Sequence, residues 1–101
     1  MLKHIVMWKL KDYAEGASKA ENAVKIKEML NSLVGRIPEI KALEVGININ
    51  TSEQAYDAVL YTEFEDEKAL ETYQNHPEHK KVSEFVGKVR LGRAVADYFA
   101  E

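Results

Sequence analysis

The chain has 101 residues, of which 46% are hydrophobic and 31% are charged, a balance typical of a single globular domain spanning residues 1–101 rather than of a disordered protein. Its net charge of -3, with both signs interspersed, excludes the basic surface that nucleic-acid binding requires. The absence of cysteine excludes disulfides, thiolate metal sites and a cysteine nucleophile. No apolar segment reaches the length of a membrane helix and no signal peptide is evident, so we expect a cytoplasmic protein without membrane contact.

The first element is predicted to be a strand over residues 2–10, where side chains alternate between two faces. One face carries His4, Val6 and Trp8, and the other carries Ile5 and Met7. We predict that the histidine face lies toward the helices, and because a one-residue slip reverses every side chain, this prediction is right or wrong as a whole.

A change of period then predicts an amphipathic helix over residues 17–37, with Ser18 as the N-cap and Pro38 preventing continuation. Residues 40–50 return to alternation and predict a second strand with one apolar face.

The second half predicts a strand over residues 56–64, a short helix capped by Asp66, and a closing strand over residues 90–99. Between the short helix and the last strand, Pro77 restarts a helix that we expect to reach about residue 89, since proline suits the first helical turn.

The order of elements predicts the α+β, ferredoxin-like β-α-β-β-α-β fold, a four-stranded antiparallel sheet with helices on one face. The other face has no helix to cover it and carries the apolar side chains of Ile5, Met7, Val59 and Tyr61. We therefore predict that the protein pairs with a second copy of itself as a homodimer.

Chemistry-bearing residues are concentrated between Tyr73 and Val89. On a helix starting at Pro77, His79 lies three residues before Val82 and therefore at the edge of the inward face. A titratable ring is thus directed toward the core.

Three segments resemble those of a known family: residues 2–10 (Leu-Lys-His-Ile-Val-Met-Trp-Lys-Leu), residues 75–79 (Asn-His-Pro-Glu-His) and residues 95–98 (Val-Ala-Asp-Tyr). They are similar to the recurrent segments of the stress-responsive A/B barrel domain (Dabb) proteins, of the dimeric α+β barrel superfamily. The resemblance covers essentially the whole chain. It implies a homodimeric barrel with outer helices, and a cavity between each sheet and its own helices.

One branch of that family contains plant polyketide cyclases, which act by aldol condensation without a cofactor. The resemblance implies that Tyr73 and His79 are the catalytic pair, that Asp97 orients the histidine, and that His4 belongs to the pocket. Trp8 and Arg93 differ from the aliphatic residues with which the cyclases contact an alkyl chain. We expect the ligand-binding residues to be His4, Val6, Trp8, Leu60, His76 and Arg93.

Three interpretations of these side chains are open. A histidine base, a carboxylate that fixes its tautomer and a phenol that stabilises an enolate would form a cofactor-free lyase or cyclase. The same dimer could instead bind a small carbonyl-containing ligand without catalysis, with structural histidines. A metal site formed by His4, His76 and His79 is the least favoured interpretation.

Overall fold

The computed structural model describes residues 1–101 and has an α+β fold. In chain order its elements are β1 (Leu2–Leu10), β2 (Tyr13–Ala14), β3 (Ala17–Ser18), α1 (Lys19–Asn31), β4 (Ala42–Ile47), β5 (Ala58–Phe64), α2 (Glu67–Asn75), α3 (Pro77–Val89) and β6 (Arg90–Phe99). The main sheet is antiparallel with the order β4-β5-β1-β6, and β2 pairs only with β3. The predicted ferredoxin-like arrangement is confirmed.

Strand β1 is central in the sheet, and its alternation determines what lies beneath the helices. His4, Val6 and Trp8 are buried, whereas Met7 on the opposite face is 36% exposed. The prediction for the face of β1 is therefore confirmed. The buried side chains of β1 join those of β5, α1 and α3 in one hydrophobic core, so the cavity-forming residues share the layer that stabilises the fold.

Helix α1 begins as predicted but ends earlier. Ser18 is its N-cap and forms a reciprocal capping box with Glu21. The predicted continuation to residue 37 is wrong, because the helix ends at Asn31 and the chain turns through Gly35, whose φ is +88°. Leu33 and Ile37 remain fully buried in these turns, which explains why apolar side chains continue beyond the end of the helix.

A short hairpin that the sequence did not reveal precedes α1. Glu15 and Gly16 both have positive φ between β2 and β3, as in the two-residue type I′ turn of β-hairpins. The buried side chain of Asn22 in α1 donates to the carbonyl oxygens of Ala14 and Ala17, so the hairpin is held against the helix. Strands β4 and β5 lie within the predicted ranges 40–50 and 56–64 but are shorter.

The break between α2 and α3 occurs at His76. Its backbone is extended, and it is at once the C-cap of α2 and the N-cap of α3, where Pro77 occupies the first helical position. The prediction of a restart at Pro77 and an end near residue 89 is confirmed, as is the N-cap at Asp66. This junction places Tyr73 at the end of one helix close to His79 at the start of the next.

The sheet face opposite the helices has no cover in the single chain. It carries Ile5, Met7 and Val59, which are half-buried or exposed, together with a polar network of Lys3, Tyr61 and Glu63. None of the three helices combines the length and the apolar character that a membrane span requires.

Candidate functional site

A cavity of about 270 Å³ lies between the sheet and α3. Six of the predicted site residues line it: His4, Val6, Trp8, Leu60, His79 and Arg93. The remaining lining comes from Leu30, Gln74, Val82, Ser83, Val86 and Arg90. The cavity therefore lies where the resemblance implied one, and its wall combines aliphatic groups with two histidines and two arginines.

His79 is half-buried in this wall, and its ring is held by the backbone. Its Nδ1 lies 3.3 Å from the carbonyl oxygen of Gln74. Because a carbonyl only accepts hydrogen bonds, Nδ1 carries the hydrogen and Nε2 has the free lone pair. Burial lowers the pKa of His79 below its ordinary value of 6.5, nearby positive groups including Arg93 act in the same direction, and the bond to Gln74 partly opposes both. The ring is therefore held as a neutral base.

Tyr73 is fully buried and does not line the cavity itself. Its ring packs against that of His79, with centroids 4.3 Å apart, and against that of Phe64 at 4.9 Å. The Tyr73 hydroxyl has no hydrogen-bond partner, and a buried donor without a partner lowers the free energy of unfolding. Burial raises the pKa of Tyr73, although the charge of Arg93 acts against this, so the group remains a neutral phenol.

Asp97 does not orient His79, and the expectation that it would is wrong. Its Oδ1 accepts from Nδ1 of His4 at 2.5 Å. His4 and Asp97 are directly opposite each other on β1 and β6, and opposed side chains on one face of an antiparallel pair are close neighbours. The carboxylate therefore fixes the other histidine of the cavity, while Gln74 takes the orienting role for His79.

His76 was predicted to contact the ligand, but the structure does not bring it to the cavity. Its Nδ1 accepts from the backbone N–H of Glu78 at 3.1 Å and so caps α3. A side chain that satisfies a helix N-terminus is structural. No group of three His, Asp or Glu side chains is placed to hold a metal ion.

Sequence reasoning missed three polar residues of the lining, Gln74, Ser83 and Arg90. Gln74 acts through its main chain, which no side-chain pattern reveals. Arg90 reaches the cavity because β6 has a bulge: Gly92 pairs with Lys9 and Arg90 pairs with Leu10, so Leu91 is the extra residue. A bulge redirects side chains, and simple alternation over residues 90–99 would place Leu91 in this position.

The sequence profile described as Stress Responsive A/B Barrel Domain matches residues 2–100. The uncharacterised protein SCO4036 of Streptomyces coelicolor is 32% identical over 81 residues, which are 79% of this chain and 80% of that protein.

Two solved structures show the same fold. A dimeric protein of unknown function with a ferredoxin-like fold from Bacteroides fragilis is 32% identical, with a TM-score of 0.85 over 96% of this chain and 93% of that one. Hydroxynitrile lyase from Passiflora edulis has a TM-score of 0.81 over 99% of this chain and 93% of its own, at 14% identity. The second similarity is one of fold alone.

We predict that an NMR titration will give His79 a pKa below 6.5, with the hydrogen on Nδ1 in the neutral form. Because the unfolded chain takes up the proton first, the contribution of His79 to the unfolding free energy should be complete above pH 6.5 and decrease as the pH falls toward its folded pKa. In His79→Gln, the part of the decrease in unfolding free energy between pH 7 and pH 5 that is due to His79 should be absent. A folded pKa at or above 6.5 would contradict the assignment.

We also predict that Tyr73→Phe will raise the unfolding free energy by roughly 1 kcal/mol, because it removes a buried hydroxyl that has no partner. Urea denaturation measures the change. The matched control is Tyr13→Phe, whose side chain is exposed and whose loss of a hydroxyl should leave stability unchanged. A clear loss of stability in Tyr73→Phe would show that the hydroxyl has a partner.

Proposed function

From the premise that the chain belongs to the Stress Responsive A/B Barrel Domain family, we propose that it binds a small carbonyl-containing molecule in the cavity beneath α3. We propose further that His79 removes a proton from the carbon next to that carbonyl group. The observation that carries the proposal is the ring of His79 beside the cavity, neutral and fixed by Gln74, with Nε2 free to accept.

The proton transfer needs only groups that the chain supplies. Nε2 of His79 takes the proton, the electron pair of the C–H bond forms a carbon–carbon double bond, and the carbonyl π pair moves to oxygen. The resulting enolate oxygen needs a donor. We propose the Tyr73 hydroxyl for this role, since it has no partner, its ring packs against that of His79 and the raised pKa of Tyr73 keeps its proton in place. Because Tyr73 does not line the cavity, its side chain has to move when the ligand binds.

His4 lies on the cavity wall opposite α3, with Asp97 fixing its ring through Nδ1. In the proposed complex its ring contacts the ligand from the side of the sheet. Val6, Trp8 and Leu60 supply the apolar wall, and Trp8 narrows the space to that of a small molecule.

A second candidate is a polyketide-cyclase-like lyase, in which the enolate attacks a second carbonyl of the same molecule in an aldol closure. The Tyr73 and His79 pair favours it, because enolate formation is the first step of both reactions. The volume of about 270 Å³ is below the usual range for drug-sized ligands and therefore favours a short substrate over a long polyketide chain.

The test is the exchange of deuterium from D₂O into 2-pentanone. It is monitored by the ¹H NMR signals of the protons next to the carbonyl group. We predict that the protein accelerates the loss of these signals and that His79→Gln lowers the rate about a hundredfold or more, the usual contribution of a general base. The rate should rise with pH through a pKa below 6.5 and then level off, because only neutral His79 accepts.

The matched control is His76→Asn, which replaces the neighbouring histidine outside the cavity by a residue that also caps helices. It should keep the wild-type exchange rate. Equal rates for wild type and His79→Gln, with both folded, would refute the catalytic part of the proposal and leave a binding protein.

We propose that two copies of the chain associate through the uncovered sheet face. Three observations support this: the similar Bacteroides fragilis protein is dimeric, Ile5, Met7 and Val59 give this face an apolar centre, and no element of the chain covers it. An uncovered apolar face of this kind is typical of an interface between copies.

We predict that Met7→Lys will raise the dimer dissociation constant about a hundredfold or more, because it places an unpaired charge in the interface. Sedimentation equilibrium measures the constant. Asn31→Lys adds the same charge at the exposed end of α1 and should leave association unchanged. A wild-type chain that sediments as a stable monomer at micromolar concentration would contradict the proposal.

A further inference from the structure

The two arginines of the cavity have no partners within the chain. Arg90 and Arg93 are exposed and line the cavity. The remaining arginine, Arg36, forms an ion pair with Glu78, whereas neither cavity arginine forms an ion pair. Asp97, a carboxylate on the same strand as both arginines, is bound to His4. In a chain of net charge -3, two guanidinium groups without acceptors stand at one opening.

Their placement follows from the backbone of β6. Arg93 lies opposite Trp8, on the face of the sheet that carries the cavity, and the bulge at Leu91 puts Arg90 opposite the buried Leu10 on that same face. Leu91 is 70% exposed as a result. Because β6 is at an edge of the sheet and both arginines are exposed, the guanidinium groups remain hydrated when the cavity is empty.

We infer that the ligand of this cavity carries a carboxylate, bound at the opening by Arg93 and Arg90, in addition to the carbonyl group that faces His79. This inference rests on the proposed function and names its substrate class, a short oxo acid. The guanidinium fork matches the two oxygens of a carboxylate. Along β1 and β6, His4 pairs with Asp97 whereas the arginines pair with Trp8 and Leu10, so the arginines and His4 lie at different places along the cavity wall. The acid and the ketone therefore occupy different parts of the cavity.

The volume of the cavity limits the length of the acid, and the dipole of α3 favours a carboxylate over a phosphate. At about 30 Å³ for each water-sized group, about 270 Å³ holds roughly nine such groups, enough for an oxo acid of five or six carbons. Arg90 is the C-cap of α3, and the partial negative charge of a helix C-terminus disfavours a dianion more than a monoanion. The first N–H groups of α3, where a phosphate would bind, lie at the other end of the helix and include one used by His76.

The experiment uses the single tryptophan of the chain. Trp8 lines the cavity, so its indole ¹H–¹⁵N signal reports occupancy. The probes are 4-oxopentanoate, the uncharged ketone 2-pentanone and inorganic phosphate. We expect 4-oxopentanoate to bind at least about tenfold more tightly than 2-pentanone, the effect of one or two charge-assisted hydrogen bonds, and to weaken with salt.

Arg93→Gln should lower the affinity for 4-oxopentanoate to near that for 2-pentanone, and Arg93→Lys should restore part of the difference. Arg36→Gln is the matched control, because it removes an arginine outside the cavity, and it should bind both probes like the wild type.

The outcomes separate this inference from the proposed function. If 2-pentanone and 4-oxopentanoate bind equally well and Arg93→Gln changes neither, the carboxylate is refuted while ketone binding stands. Phosphate binding as tight as that of 4-oxopentanoate would also refute the carboxylate. If neither ketone shifts the Trp8 signal at millimolar concentration, the proposed function and the inference both fail.

Discussion

The pairing of β1 with β5 and β6 is the constraint on which the site depends. His4, Val6 and Trp8 alternate along β1, and their partners across the sheet are fixed by register, so the same alignment that buries the core brings Asp97 to His4 and Arg93 to Trp8. A slip of one residue would turn the cavity wall outward and expose the core face. Stability of the sheet and composition of the site therefore depend on a single alignment, and mutations that weaken the core pairing also disturb the cavity.

The second determinant is the break between α2 and α3. The last carbonyl groups of a helix have no partner within it, and at the end of α2 two are satisfied in different ways: Tyr73 accepts from the backbone of His76, and Gln74 accepts from the ring of His79. The break thus leaves a backbone acceptor free to fix a tautomer. A backbone carbonyl carries no net charge, so it orients His79 without the strong rise in pKa that a carboxylate would cause.

Periodicity in the sequence was sufficient to predict the fold and part of the cavity wall, since His4, Val6, Trp8 and His79 were each assigned to the correct face. It was insufficient wherever the outcome depended on a contact between distant segments. The partner of Asp97 depends on strand register, and the position of Arg90 depends on a bulge. Likewise, the buried apolar groups after Asn31 lie in turns, although their spacing imitates a longer helix.

Charged groups lie at the opening of the cavity and neutral titratable groups lie deeper, and this arrangement links ligand binding to proton transfer. The permanently charged groups, Arg90 and Arg93, are at the solvent-exposed opening and remain hydrated there. The inner groups, His79 and Tyr73, are neutral because burial disfavours their charged forms. A positive charge at the opening acts over the length of so small a cavity: Arg93 favours the neutral form of His79 and would also favour a developing enolate. An anionic ligand that neutralised Arg93 would weaken this effect, so a ligand of the proposed class would bind most tightly at some cost to the stabilisation of its own enolate.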